Sequence, residues 1–149
     1  MIQVRQAHPS DRDTIVEFQV QLAKESEGLD LDLAKVTQGV QAAFDRPNRG
    51  AYWVAQSGGR VVACLLTIPE WSDWRNGTVV WIHSLYVLPE FRQRGVFRTM
   101  FEALRQQVQD STDLIGLRLY VDKRNTAAQQ VYRQLGMDSQ HYDLFEWLK

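Results

Sequence analysis

The stretch LYVLPEFRQRGVFRTM, residues 85 to 100, decides how this chain is read. It closes a run, residues 78–87, whose aromatic and β-branched residues make a long strand that Pro89 ends. From Gly95 onward Phe97, Met100, Phe101, Leu104 and Val108 recur at helical spacing, the stripe of an amphipathic helix lying on a sheet. Between strand and helix runs a loop carrying Arg92, Arg94 and, just inside the helix, Arg98, against the single carboxylate Glu90. The first amides of a helix have no intrahelical acceptor and sit at the positive end of its dipole, so this junction suits an anion. Gly95 lets the backbone come close to a ligand. Hydrogen bonds to charged groups contribute about 1.5–3 kcal/mol each, so a few of them hold a nucleotide tail. On charge alone, a solvated helix end with surface arginines is an equal alternative.

Working outward, residues 114–121 return as a strand, apolar on both parities apart from Arg118, as expected when both faces are covered. The strand, helix, strand crossover implies a parallel pair. Residues 125–135 form a last helix with Ala128, Val131 and Leu135 inward and Gly136 as its stop, and residues 142–147 read as a final strand. Upstream, residues 51–55 and 61–68 make a hairpin through Ser57-Gly58-Gly59-Arg60. Before it come a short strand at Ile2 and Val4 and two helices. The first begins at a capping box of Ser10 and Asp13, carries Ile15, Phe18 and Leu22, and ends by Gly28. The second carries Leu33, Val36, Val40 and Phe44 and stops before Pro47. The order is β, α, α, β, β, β, α, β, α, β.

A chain of 149 residues, 44% apolar and 23% charged, is expected to be one globular domain over residues 1–149. Seventeen basic against eighteen acidic residues leave a charge of -1, which offers no global attraction to nucleic acid or to an anionic membrane. The single Cys64 sits in the apolar run VVACLLTI, so a buried hydrophobe is favoured over a nucleophile, and no disulfide forms. His8, His83 and His141 are scattered without metal-ligand spacing, and no metal is expected. No apolar run approaches signal-peptide or membrane-helix length, which makes the cytoplasm the expected location.

The loop Arg92-Gln93-Arg94-Gly95-Val96-Phe97 resembles the coenzyme A site of the GNAT superfamily of N-acetyltransferases, R/Q-x-x-G-x-G/A between a strand and a helix. Its last position, Phe97, departs from the family's small residue. The segment NTAAQQVYRQLGM, residues 125–137, is similar to the family helix that flanks the pantetheine arm. The resemblance spans residues 78–147 and implies an α/β (α+β) acyl-CoA N-acyltransferase fold, a mixed central sheet of about six or seven strands flanked by about four helices.

What it further implies is a reaction. Acetyl-CoA is the acyl-donor cosubstrate, held by Arg92, Gln93, Arg94, Gly95, Val96, Phe97 and Arg98 at its phosphates. Backbone groups of Leu85, Tyr86 and Val87 hold the arm, joined by Asn125, which bonds the arm or caps its helix, and Tyr132. A primary amine of a small molecule or peptide attacks the thioester directly, and Tyr132 protonates the leaving thiolate. The amine must first lose a proton. His83 is the candidate base, since on a regular strand it shares parity with Leu85 and Val87 and its imidazole titrates near neutrality. Glu70 is a second candidate, for the proton or for a cationic acceptor, and Trp71, Trp74 and Trp81 with Asp73 are candidate pocket walls. The alternative is a non-catalytic acyl-CoA-binding regulatory module of the same fold. Homodimerisation through the last strand is compatible with either.

Overall fold

The computed structural model describes all 149 residues, which cluster into two compact units, Met1–Arg118 and Leu119–Lys149. The first holds a five-stranded sheet in sequence order: β1 (Ile2–Gln6), β2 (Ala51–Ser57), β3 (Arg60–Ser72), β4 (Gly77–Val87) and β5 (Leu114–Arg118). Pairing is antiparallel from β1 to β4 and parallel between β4 and β5, as the crossover demands. The β2–β3 hairpin turns on Gly58 and Gly59, both at positive φ (56° and 80°). That is the geometry of a two-residue loop matched to strand twist, and glycine adopts it without strain.

Helices α1 (Arg12–Glu27) and α2 (Leu33–Asp45) cover one face of this sheet. Ile15, Val16 and Phe18 of α1 and Val40 of α2 pack with Tyr52, Val54, Cys64 and Tyr86 in one buried cluster. Each such aliphatic or aromatic side chain taken from water contributes about 1.5–3 kcal/mol. Ala63 and Leu65 alternate with Cys64 along β3, point to the other face, and are equally buried. Helix α3 (Val96–Asp110), which touches β1 and β5, supplies Val96, Met100, Phe101 and Leu104 to the core.

Side chains secure the turn that leads into α1 and the start of α2. The capping box lies in the 3-10 turn before α1, with His8 as N-cap and Asp11 as its third residue, not at the expected Ser10 and Asp13. Asp11 accepts from the His8 amide at 2.7 Å and from the Arg5 guanidinium at 2.7 and 3.1 Å, and Asp13 pairs with Arg12 on the surface. Those bonds hold the Asp11 carboxyl below its usual pKa. Asp32 accepts from the Lys35 amide at the start of α2, and Gly28 at φ 63° ends α1 as read from the sequence.

The second unit carries α4 (Thr126–Gln134), capped by Asn125, whose Oδ1 accepts from the Ala128 amide at 3.1 Å. Two expectations fail here. Val131, expected inward, is 37% exposed. Residues 142–147 form no strand, so the sheet has five strands and not six or seven. Strand propensity describes fit to a pleated, half-buried surface. The alternation that would supply one buried face breaks at Leu144-Phe145, where two apolar residues adjoin, and Phe145 and Trp147 are 92% and 90% exposed. β5 likewise ends at Arg118, short of residue 121, and Ile115 is exposed, so that strand is not covered on both faces.

Candidate active site

Strand β4 is irregular where the site was expected. His83 pairs with Leu66 and Tyr86 with Cys64, so Ser84 and Leu85 together oppose the single residue Leu65. This is a β-bulge, and Ser84 takes the left-handed backbone it requires, at φ 54°. The extra residue changes the parity read from the sequence. Val87 pairs with Ala63 and lies on the face opposite His83, and it is Tyr86 that shares the His83 face. Gln19 of α1 seats the bulge by donating from Nε2 to the Ser84 carbonyl and to Cys64 Sγ, each at 3.4 Å.

Strand β4 outruns β5. Their pairing runs from Thr78↔Leu114 to Trp81↔Arg118 and stops, while β4 continues through residues 82–87 with no rung to β5. Backbone N–H and C=O groups at the end of a strand, beyond its last rung, are of the kind that bond an extended ligand.

The end of β4 leads directly into the arginine loop. After a 3-10 turn over Pro89–Phe91 the chain reverses at Gln93 (φ 61°) and Gly95 (φ 76°), and Gly95 is the N-cap of α3. A Cβ on Gly95 would meet no atom within 4 Å, so the glycine answers a backbone requirement and faces open space. The amides of Val96, Phe97 and Arg98 follow as the first turn of the helix. Phe97 lies 6.1 Å from Phe101, its ring taken up along the helix.

The arginines divide in role. Arg92 is clasped: Nη2 donates to Glu25 Oε2 at 2.7 Å, Nε donates to the Val87 carbonyl at 2.8 Å, and the guanidinium lies 5.4 Å from the centre of the Tyr86 ring. Arg94 sits 5.7 Å from the Phe91 ring and Arg98 is exposed. Glu25 had not been singled out by its sequence, because its partner stands 67 positions away.

His83 is half-buried and stacks on Trp81 at 6.1 Å with 25° between the rings. Burial disfavours its charged form and lowers its pKa below the usual 6.5, leaving a neutral imidazole at pH 7. Glu70 is ion-paired with Arg118 at 3.0 Å. Tyr132, on α4 in the second unit, is half-buried, and burial raises its pKa above 10.0, so the phenol stays protonated. Cys64 is buried and pushed up to about 12, an inert thiol as expected. Trp71 and Trp74 at the β3–β4 turn are 65% and 89% exposed.

A sequence model of the acetyltransferase (GNAT) family matches residues 17–137. The chain belongs to the GNAT acetyltransferase family. Among solved structures, this GNAT chain is similar to a "possible acetyltransferase" of Clostridium difficile 630. The two are 38% identical over 100% of this chain and 98% of that one, with a TM-score of 0.92. A predicted acetyltransferase of Clostridium acetobutylicum, crystallised with acetyl-CoA, shares the fold at 19% identity over 98% and 96% of the chains, with a TM-score of 0.77. So does a ribosomal-protein-alanine N-acetyltransferase of Brucella melitensis biovar Abortus 2308, at 11% identity over 100% of both chains and a TM-score of 0.81. No curated protein matches by sequence. As a GNAT enzyme the protein is an acyltransferase, of a family that uses acetyl-CoA. No helix is long and apolar enough to cross a membrane.

Proposed function

We propose that the protein transfers the acetyl group of acetyl-CoA to a primary amine by direct attack, with no covalent enzyme intermediate. The observation that carries this reading is the end of β4, beyond its last rung to β5, running without interruption into the Gln93–Gly95 reversal and the first amides of α3. That sequence of groups fits an acyl donor from its arm to its phosphates. Backbone groups of Leu85, Tyr86 and Val87 bond the extended arm, although the Val87 carbonyl already accepts from Arg92. The amides of Val96, Phe97 and Arg98 take the diphosphate, with Gln93 and Gly95 shaping the turn and Arg94 and Arg98 adding charge. Arg92 joins them on leaving Glu25. Open space over Gly95 supports the fit.

For the chemistry, the substrate ammonium gives a proton to the neutral imidazole of His83, and the freed amine forms the new C–N bond at the thioester carbonyl. An N–H of the bulged stretch donates to the carbonyl oxygen as it takes negative charge. The C–S bond then breaks, the thiolate takes the proton of Tyr132, and the nitrogen's surplus proton returns to that phenolate. Asn125 caps the helix that carries Tyr132.

Incubating the protein with acetyl-CoA and a panel of primary amines tests the reading. Amine-dependent release of free thiol is expected, and binding of acetyl-CoA without release on any amine would overturn it. Tyr132→Phe is expected to lower kcat by about a hundredfold or more while leaving acetyl-CoA binding intact. Unchanged turnover removes Tyr132 from the reaction.

A further inference from the structure

Along α1 the side chains of Ile15, Phe18 and Leu22 form the stripe that faces the sheet, and Gln19, one turn on from Ile15, falls inside it. It is 8% exposed. A buried amide costs stability unless it is hydrogen-bonded, and leucine or methionine fills a similar volume without that requirement. What the glutamine adds is its amide. Nε2 carries two hydrogens, and its two acceptors, the Ser84 carbonyl on β4 and Cys64 Sγ on β3, lie on the two strands that flank the bulge, each at 3.4 Å. The Ser84 carbonyl also fixes which end of the amide is nitrogen, since the flipped side chain would set oxygen against oxygen.

Ser84 and Leu85 together oppose Leu65, so the ladder to β3 does not fix the peptide between them. Gln19 does. A peptide unit is planar and trans, so its C=O and N–H point in opposite directions. Holding the Ser84 carbonyl toward α1 therefore aims the Leu85 N–H away from α1. No other side chain bonds the backbone of Ser84 or Leu85. This N–H belongs to the bulged stretch that receives the thioester oxygen in the reaction proposed above. A donor is effective there when its direction is set before charge develops.

We propose that Gln19 is a positioning residue for acetyl transfer: by holding the Ser84 carbonyl it aims the Leu85 N–H at the thioester oxygen as that oxygen takes negative charge. It acts through the peptide and touches no substrate atom. The proposal rests on the reading of the β4 bulge as the place of acyl transfer.

The test compares Gln19→Met with Cys64→Ala. Gln19→Met removes the donor and keeps the volume. It is expected to melt within a few degrees of the unmodified protein, to bind acetyl-CoA as before, and to lose about tenfold to a hundredfold in kcat at an unchanged KM for the amine. Cys64→Ala loosens the same corner of the core but leaves Gln19 its bond to Ser84, so it should lower the melting temperature and keep kcat. An undiminished kcat in Gln19→Met overturns the proposal and leaves amine acetylation standing. So does an equal fall of kcat in Cys64→Ala, which would make turnover follow packing. Failure of both Gln19→Met and Gln19→Leu to fold overturns it too, by making the glutamine a residue of stability alone. Release of no thiol by the unmodified protein with any amine overturns the underlying reading as well.

Discussion

His83 is the residue on which the proton inventory turns, and its burial predicts a pH profile. Desolvation lowers its pKa below the usual 6.5, so the neutral form that accepts a proton predominates at pH 7 and is lost only as the pH falls through that lowered value. The rate of amine acetylation should therefore carry an acid limb below 6.5 that belongs to the enzyme. In His83→Gln that limb should disappear and kcat/KM should fall roughly a hundredfold or more. A limb that persists in the variant assigns the proton to another group. The same shift has a sign for stability: the unfolded chain protonates His83 first, so acidification through that range favours unfolding. Cys64 shows the opposite limit at this scale. A thiol raised to about 12 by burial is packing material, and its surroundings in VVACLLTI say so without coordinates.

Among elements, the junction of β4 with α3 makes the sharpest demands. Gly95 at φ 76° has open space beyond it, so Gly95→Ala should fold with a loss of about 1 kcal/mol from left-handed strain alone. Gly95→Glu sets bulk and negative charge over the α3 amides and should abolish acetyl-CoA binding, measured by calorimetry. A variant that binds normally moves the phosphate site elsewhere. This junction was legible because its requirements are local: a proline to end the strand, a glycine to reverse, a periodic apolar stripe to continue. The Gly58-Gly59 hairpin was legible for the same reason. The bulge was not, since nothing in His83-Ser84-Leu85 distinguishes a regular strand from one with a residue too many. It shows only in the register against Leu66 and Cys64. Residues 142–147 failed in the converse way, because bulky side chains satisfy a propensity whether or not a neighbouring edge pairs with them. The Arg92–Glu25 clasp lay beyond reading altogether, since no local rule selects one carboxylate among eighteen.

For the whole molecule, a ligand that binds only the folded chain stabilises it by mass action. Acetyl-CoA at a hundred times its dissociation constant should add about 2.7 kcal/mol. For a chain of this length that raises the melting temperature by about 5–10 °C. Differential scanning calorimetry with and without the ligand measures it, and Gly95→Glu should show no shift. The net charge of -1 predicts little salt dependence of stability at large.

The kink in β4 also has a bearing on how this chain tolerates deletion. If Ser84 were removed, Leu85 would pair with Leu65, Tyr86 would stay opposite Cys64, and every later side chain would keep its present face. Strand β4 is one residue longer than its ladder to β3 needs. The Ser84 deletion should therefore fold, shed a left-handed serine, and melt at or above the temperature of the parent while losing acetyl transfer. Stability and activity would then be seen to pull in opposite directions at a single codon.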